Sequence, residues 1–280
     1  VNTLNKTQLV LRYGVLFAGA LVFLFPFYYM VVGSLQTAPD TSLAGAFPDP
    51  ANLSLDNYVA INERINLWSG LVNSGIFTGG VVLTSVVFGS LAGYSLAILR
   101  WRGRGFTFGL VLLVQVIPFQ LLMIPLYVLI ARDYGLADTY LGMILPFAVN
   151  ATVVIVFRQY FLQLPKELFD AARIDGAGEL KILTKVALPL IRPALVTAVL
   201  MTFIGPWNEF LWPFLITKDA SMQPLAVSLA NYAETVAAAT ANPLGAILAG
   251  AVVLAAPAVG LFIVFQRYFV STGLGSAVKG

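Results

Sequence analysis

Six apolar runs, at about 11–33, 71–99, 106–130, 140–163, 193–216 and 244–268, constrain this chain more than any other feature. Each is long enough to cross a hydrocarbon core of about 30 Å, which takes roughly 20 helical residues. Inside lipid, backbone N–H and C=O groups find no water, so such runs are expected as helices that satisfy their own backbone. Composition points the same way. The chain is 59% apolar and 10% charged, whereas soluble domains carry roughly 25% charge. The expected fold class is an all-α integral membrane protein of six transmembrane helices, forming a single domain over 1–280. The first run, preceded by Lys6 and Arg12, imitates a secretory signal. It is too long for one, and Pro26-Phe27-Tyr28-Tyr29 lacks a small-residue cleavage pattern, so it reads as a retained helix. Leu71-Val72-Asn73-Ser74 is expected to open the second span, with its polar residues as an N-cap. Arg192-Pro193 is expected to open the fifth, because proline is tolerated in a first helical turn.

Lys and Arg then fix an orientation. With the N-terminus in the cytoplasm, the inside set is Lys6, Arg12, Arg100, Arg102, Arg104, Arg158, Lys166, Arg173, Lys181, Lys185, Arg192, Arg267 and Lys279, thirteen residues. Only Arg64, Arg132 and Lys218 fall outside. This positive-inside bias places both termini in the cytoplasm of a multi-pass protein of the plasma or inner membrane. It also accounts for the basic pI near 9.1 without nucleic acid. The segments at about 34–70 and 217–243 become the two long external loops, rich in turn formers and aromatics, with a chemistry suited to partner contact.

The chain has no histidine and no cysteine, which removes the commonest general base, the commonest zinc ligands and any disulfide. No phosphate-binding Gly-x-x-x-x-Gly-Lys-Ser/Thr loop is present. Gly79-Gly80 and Gly103-x-Gly105 follow no strand and read as a packing contact and a turn. Covalent catalysis and nucleotide hydrolysis by this chain are therefore not expected, and no cofactor is assigned to it. Glu209 is the one acid within a predicted span, and an ionisable group in the bilayer is by default a candidate functional residue. With Trp207 and Asn208 beside it, it forms the candidate translocation path; the competing reading is a packing role through Asn208 or a polar group on another helix. Intramembrane prolines at 26, 118, 125, 146, 206, 213 and 257 are expected to kink or open helices.

The polar interruption at about 164–190 carries the most specific signal. Pro165 is suited to starting a helix, Glu167 and Asp170 sit in its first turns where the helix dipole favours negative charge, and Gly176 and Gly178 end it. Leu168, Ala171, Ala172 and Asp175 fall on one side at three- and four-residue spacing, with Asp170 and Arg173 beside them. The small alanines admit close approach of another backbone, and the flanking charges are placed to pair across such a contact. Asp170, Ala171, Ala172, Gly176, Val186, Leu188 and Pro189 match in spacing the "EAA" loop of ABC importer permeases, with Asp170 in place of the usual glutamate and Val186 in place of isoleucine. The stretch Phe203 to Pro213 resembles the fifth-helix signature of the maltose and glycerol-phosphate type of carbohydrate importer permease. The stretches Gln266 to Val270 and Ser276 to Gly280 are similar to the tail of the same subfamily.

The resemblance implies the type I ABC importer permease architecture and the smaller, six-span partner of a permease heterodimer. It implies two copies of a cytoplasmic ATPase, which would bind ATP and Mg, and an external solute-binding protein. Asp170, Ala171, Ala172, Arg173, Asp175 and Gly176 would couple to the ATPase, and Val278 and Lys279 in the tail would contact it. Ala238, Ala239, Thr240 and Asn242 in the second external loop would reach the binding protein. The solute would be a sugar or sugar derivative. The alternatives are an ABC permease for another solute and a stand-alone secondary transporter, which would move solute without ATP and needs midplane ion-coupling residues.

Topology reporters fused after residues 103 and 175 should read as cytoplasmic, and those after 50 and 230 as external. One functional fusion on the opposite face would contradict the six-span orientation.

Overall fold

Helix follows apolarity nearly everywhere in the computed structural model, which describes residues 6–40, 42, 45, 47–236 and 243–277. In chain order the helices are α1 (Lys6–Ser34), α2 (Asp56–Ile65), α3 (Leu67–Ala97), α4 (Arg104–Val114), α5 (Phe119–Tyr127), α6 (Tyr140–Ile144) and α7 (Ala151–Leu162). They continue as α8 (Lys166–Ile174), α9 (Glu179–Ile182), α10 (Leu188–Leu190), α11 (Arg192–Asn208), α12 (Leu211–Ile216), α13 (Leu225–Asn231) and α14 (Pro243–Ala277). Wide π-turns extend α5 over Val128–Asp133 and join α9 to α10 over Leu183–Ala187. Among the described residues the only β pairing is an isolated bridge between Gln36 and Leu53.

Among the described residues, only α1, α3 and α14 are single helices long and apolar enough to span a bilayer. Three further spans exist only if bent pairs are counted, so the total reaches six by length and composition. The third expected span turns by 94° between α4 and α5. Pro118 lies at that break, and a residue preceding proline is driven out of the helical region. The fourth bends by 51°, where Asn150 is extended and its side chain caps the next helix by accepting from Val153 N–H at 3.2 Å. The arm Glu179–Leu190 meets α11 at 86°, just ahead of Pro193. The fifth run is not one helix over 193–216: α11 stops at Asn208 and α12 begins at Leu211.

Two compact units partition the chain: Val1–Trp68 with Ser228–Pro257, and Ser69–Val227 with Ala258–Gly280. In the first, α1 exposes apolar side chains all round, Phe17, Val22 and Phe23 among them, as a helix solvated by lipid or by another subunit does. The expected loop 34–70 contains α2, whose buried residues are Asn57 and Ile61. Asn57 donates from its buried amide to the carbonyls of Ser34 (3.0 Å) and Gln36 (2.7 Å), tying the end of α1 to α2. α14 packs here through glycines: a Cβ on Gly245 would lie 2.5 Å from the Asn57 side chain, and one on Gly33 2.5 Å from Leu248.

In the second unit Asn73 and Ser74 do not cap α3, which begins six residues before Asn73 and places both inside its second turn. Asn73 donates to the carbonyls of Ser221 (2.7 Å) and Gln223 (3.0 Å) and accepts from the Tyr140 hydroxyl (2.6 Å). The Ser74 hydroxyl accepts from Leu225 N–H at 2.9 Å. These polar residues therefore pin the segment leading into α13, the short helix inside the second expected loop. Further along α3, glycines bring it against α7, as small residues do between membrane helices. A Cβ on Gly89 would sit 2.6 Å from Val153, and one on Gly93 2.7 Å from Phe157 and 3.0 Å from the Arg158 nitrogen.

Gly93→Leu should lower the unfolding temperature in detergent, because overpacking costs about 1–3 kcal/mol and outweighs the roughly 1 kcal/mol gained on removing a helical glycine. Gly14, with nothing within 4 Å of a built Cβ, is the control. Equal stabilities for Gly93→Leu and Gly14→Leu would contradict the packing.

Candidate functional site

The loop 164–190 is a folded element with a core of its own. Proline at position 165 fixes φ near the helical value and forms the N-cap of α8, and Glu167 occupies the first turn. The far end closes as a Schellman motif, with Gly176 N–H donating to Arg173 C=O and Ala177 N–H to Ala172 C=O, both at 3.0 Å. This requires a left-handed residue, and Gly176 has φ +77°. Gly178 instead adopts an extended conformation and caps α9. Phe169, Ile182, Leu183 and Ala187 are buried with Tyr94 of α3, Phe157 and Phe161 of α7, and Ala194 of α11. Val186 and Leu188 pack against the same cluster. Full burial of one such large apolar side chain contributes about 1.5–3 kcal/mol, so this cluster holds the loop against three membrane helices.

Polar contacts set its rotation. Glu179 accepts from the Tyr94 hydroxyl at 2.5 Å and from Arg173 Nε at 2.8 Å, with a longer contact to Arg173 Nη2 at 3.4 Å. Arg173 Nη1 also donates to Asp170 at 3.0 Å. The hydrogen bond from the Arg173 guanidinium holds the Glu179 carboxyl below its ordinary value of 4.5, against an opposing effect of burial. Both ion pairs are largely solvated, so each is worth about 1 kcal/mol or less. Their contribution is geometric: a two-pronged guanidinium contact and a Tyr94 hydroxyl fix the angle of α8 relative to the end of α3.

The expected face of Leu168, Ala171, Ala172 and Asp175 divides in two. Ala172 turns toward the core, while Leu168, Ala171 and Asp175 are exposed. Asp170 is exposed and Arg173 partly so, but they pair with each other rather than standing ready as separate charges. The apolar prominence is Ile174, 86% exposed, with Leu180 at 67%. Ile174 follows the Ala171 position by one helical turn, which the sequence pattern allowed but did not single out. Tyr94 and Glu179 also went unassigned from sequence, and 85 residues separate them. Beside α8 lies a cleft of about 1020 Å³ whose walls include Arg100, Trp101, Arg104 and Lys166.

The candidate path residues do not share one surface. Trp207 is buried and stacks on Phe203 at 5.3 Å between ring centroids. Asn208 is exposed and donates to Ile204 C=O at 2.9 Å, so it does not pair with Glu209. Glu209 accepts from Leu211 N–H (3.1 Å) and Trp212 N–H (3.2 Å), satisfying the first turn of α12 at the helix break. That task explains an acid at this point of an apolar stretch. Ala238, Ala239, Thr240 and Asn242, and the tail residues Val278 and Lys279, lie outside the described residues.

Membrane-length apolar helices and bent helix pairs, with a folded charged loop between two of them, are the architecture of a multi-pass membrane protein. Residues 85–271 match the family model "Binding-protein-dependent transport system inner membrane component". The chain is 38% identical over 264 residues to the arabinooligosaccharides transport system permease protein AraQ of Halalkalibacterium halodurans, covering 93% of each. It is 32% identical to the melibiose/raffinose/stachyose import permease protein MelC of Bacillus subtilis, covering 91% of each. To the sn-glycerol-3-phosphate transport system permease protein UgpE of Agrobacterium fabrum it is 30% identical, covering 93% of this chain and 94% of that one. Its fold superposes with a TM-score of 0.84 and 26% identity on a chain from a bacterial ABC transporter involved in the import of the acidic polysaccharide alginate, covering 96% of this chain and all of the other. The chain belongs to the family of inner-membrane components of binding-protein-dependent transport systems. It is a multi-pass permease subunit with no catalytic role of its own.

Glu179→Ala should speed amide exchange through 166–176 by about fivefold, which corresponds to about 1 kcal/mol, and shift global unfolding by no more than about that amount. Unchanged exchange would contradict a positioning role. Because the folded carboxyl is held below its unfolded value, its contribution is complete above about pH 4.5 and fades only as pH falls through the lowered folded value. Exchange in α8, corrected for intrinsic rates, should therefore be flat from about pH 6 to 8.

Proposed function

We propose that this chain is one half of the translocation path of an ATP-driven importer for a sugar or sugar derivative, and that its loop 164–190 receives a separate ATPase. One observation carries the reading: a loop with a built core, locked in angle by Arg173, Glu179 and Tyr94, leaves Ile174 and Leu180 exposed at its tip. Two large apolar side chains held rigidly outward on a polar element fit a protein groove, since burial on a partner recovers the hydrophobic energy that water denies them. Rigidity matters because a soft connector would absorb a push from outside. The core contacts on α3, α7 and α11 give an external displacement three routes into the membrane helices.

The carbohydrate class rests on the relatives, whose names carry arabinooligosaccharides, raffinose-type sugars and glycerol phosphate. The full assembly in this reading comprises a second permease forming a heterodimer, two ATPase copies holding ATP and Mg, and an external binding protein that delivers the solute. Both termini lie in the cytoplasm, supported by the thirteen-to-three distribution of Lys and Arg. Asp170, Ala171, Ala172, Arg173, Asp175 and Gly176 form or frame the docking helix, Val278 and Lys279 reach the ATPase, and Ala238, Ala239, Thr240 and Asn242 meet the binding protein. Breaks at Pro118, Asn150 and Ile191 supply the points about which helix segments reorient between outward and inward access.

Ile174→Asp tests this most cleanly, since so exposed a side chain has no part in folding the loop. It should leave assembly in the membrane intact and cut solute-stimulated ATP hydrolysis about 30-fold, the loss of one interface anchor of about 2 kcal/mol. Asp170→Lys, which sets a cation against Arg173, should also uncouple transport. Normal coupling in both variants would return the loop to a passive connector.

A further inference from the structure

The cleft beside α8 holds more positive charge than the loop uses. Its lining includes Arg100 and Trp101 from the connection between α3 and α4, Arg104 from the start of α4, Lys166 from the start of α8, and Asp170, Arg173 and Glu179. Both acids are already matched with Arg173. Among the described residues, neither Arg100, Arg104 nor Lys166 forms an ion pair. Arg104 donates from Nη1 to the carbonyls of Ala97 (3.3 Å) and Leu99 (3.2 Å), which holds its guanidinium in place without neutralising it. The four cations of the lining, Arg173 included, outnumber its two carboxylates, and that surplus of positive charge favours an anion in the cleft.

Position narrows the anion. The cleft opens where α3, a membrane-length helix, ends and the apolar α4 begins, with Phe106 projecting 75% exposed from the first turn of α4. Trp101 donates from Nε1 to Ser95 C=O at 3.3 Å and leaves its ring partly exposed, as tryptophans do at the headgroup level. A basic pocket with an interfacial aromatic at the end of a span fits a lipid phosphate with its acyl chains along the exposed flank of α4. We propose that the cleft of Arg100, Arg104 and Lys166 binds the phosphate group of an anionic lipid headgroup. The proposal rests on the orientation given above, which puts the cleft at the cytoplasmic leaflet beside the docking helix.

The test uses the complete importer in nanodiscs of phosphatidylcholine with a small fraction of brominated phosphatidylglycerol or brominated phosphatidylcholine. Bromine quenches tryptophan on contact, and subtraction of a Trp101→Phe importer isolates the Trp101 signal. Trp101 should prefer the anionic quencher. The preference should fall about 25-fold in Arg100→Gln/Lys166→Gln, from about fivefold per cation near a membrane surface. Inorganic phosphate identifies the source: if millimolar phosphate abolishes the preference, the site takes free phosphate groups and the lipid assignment fails. Equal quenching by the two lipids in wild type overturns the proposal. None of these outcomes depends on whether Ile174 engages the ATPase, so the docking reading is tested separately.

Discussion

A single carboxylate joins the polar and apolar halves of this protein. Glu179 lies in the loop, yet it accepts from Tyr94 near the end of a 31-residue membrane helix and from Arg173 on α8. Energetically the contact is small, because its ion pair is largely solvated. Burial of Phe169, Ile182 and Leu183 supplies the stability, while Glu179 selects one orientation among those the greasy cluster would tolerate. Hydrophobic contact is non-directional and hydrogen bonding is not, so the two together fix both the stability and the angle of the loop.

What the sequence conveyed, and what it withheld, follows from the range of the interactions. Local signals were readable: Pro165 at the start of α8, Gly176 at its end, and the apolar runs as helices. The bends between α4 and α5 and between α6 and α7 escaped the run-length reading, because a hydropathy run contains no information about direction. Pro118 was visible as a kink candidate, but nothing in the pattern distinguished a gentle kink from a turn of 94°. Asn73 and Ser74 looked like a cap because polar residues at the edge of an apolar run usually are one. Their partners, Ser221, Gln223 and Leu225, are about 150 residues away, beyond any local pattern. Glu209 shows the reverse case. An acid in an apolar run reads as function, and a backbone break nearby turns out to give it a capping task.

Broken helices and a rigid loop make a coherent mechanical pair. A straight helix runs along one axis, whereas the segments joined at Pro118, Asn150 and Ile191 change direction at those points. The loop sits at one of these joints, since the arm Glu179–Leu190 leads directly through the 86° turn into α11. The π-turn at Leu183–Ala187 lies in that arm, and such turns recur at functional positions in helices.

The central claim is that the tip of this loop touches an ATPase. A photo-reactive benzoylphenylalanine in place of Ile174, in the complete importer, reads that contact directly. The account predicts that illumination joins this chain to the ATPase subunit in high yield, with yield changing between nucleotide-free and ATP-bound states. Adducts only to lipid or to the second permease, with none to the ATPase in either state, would contradict it.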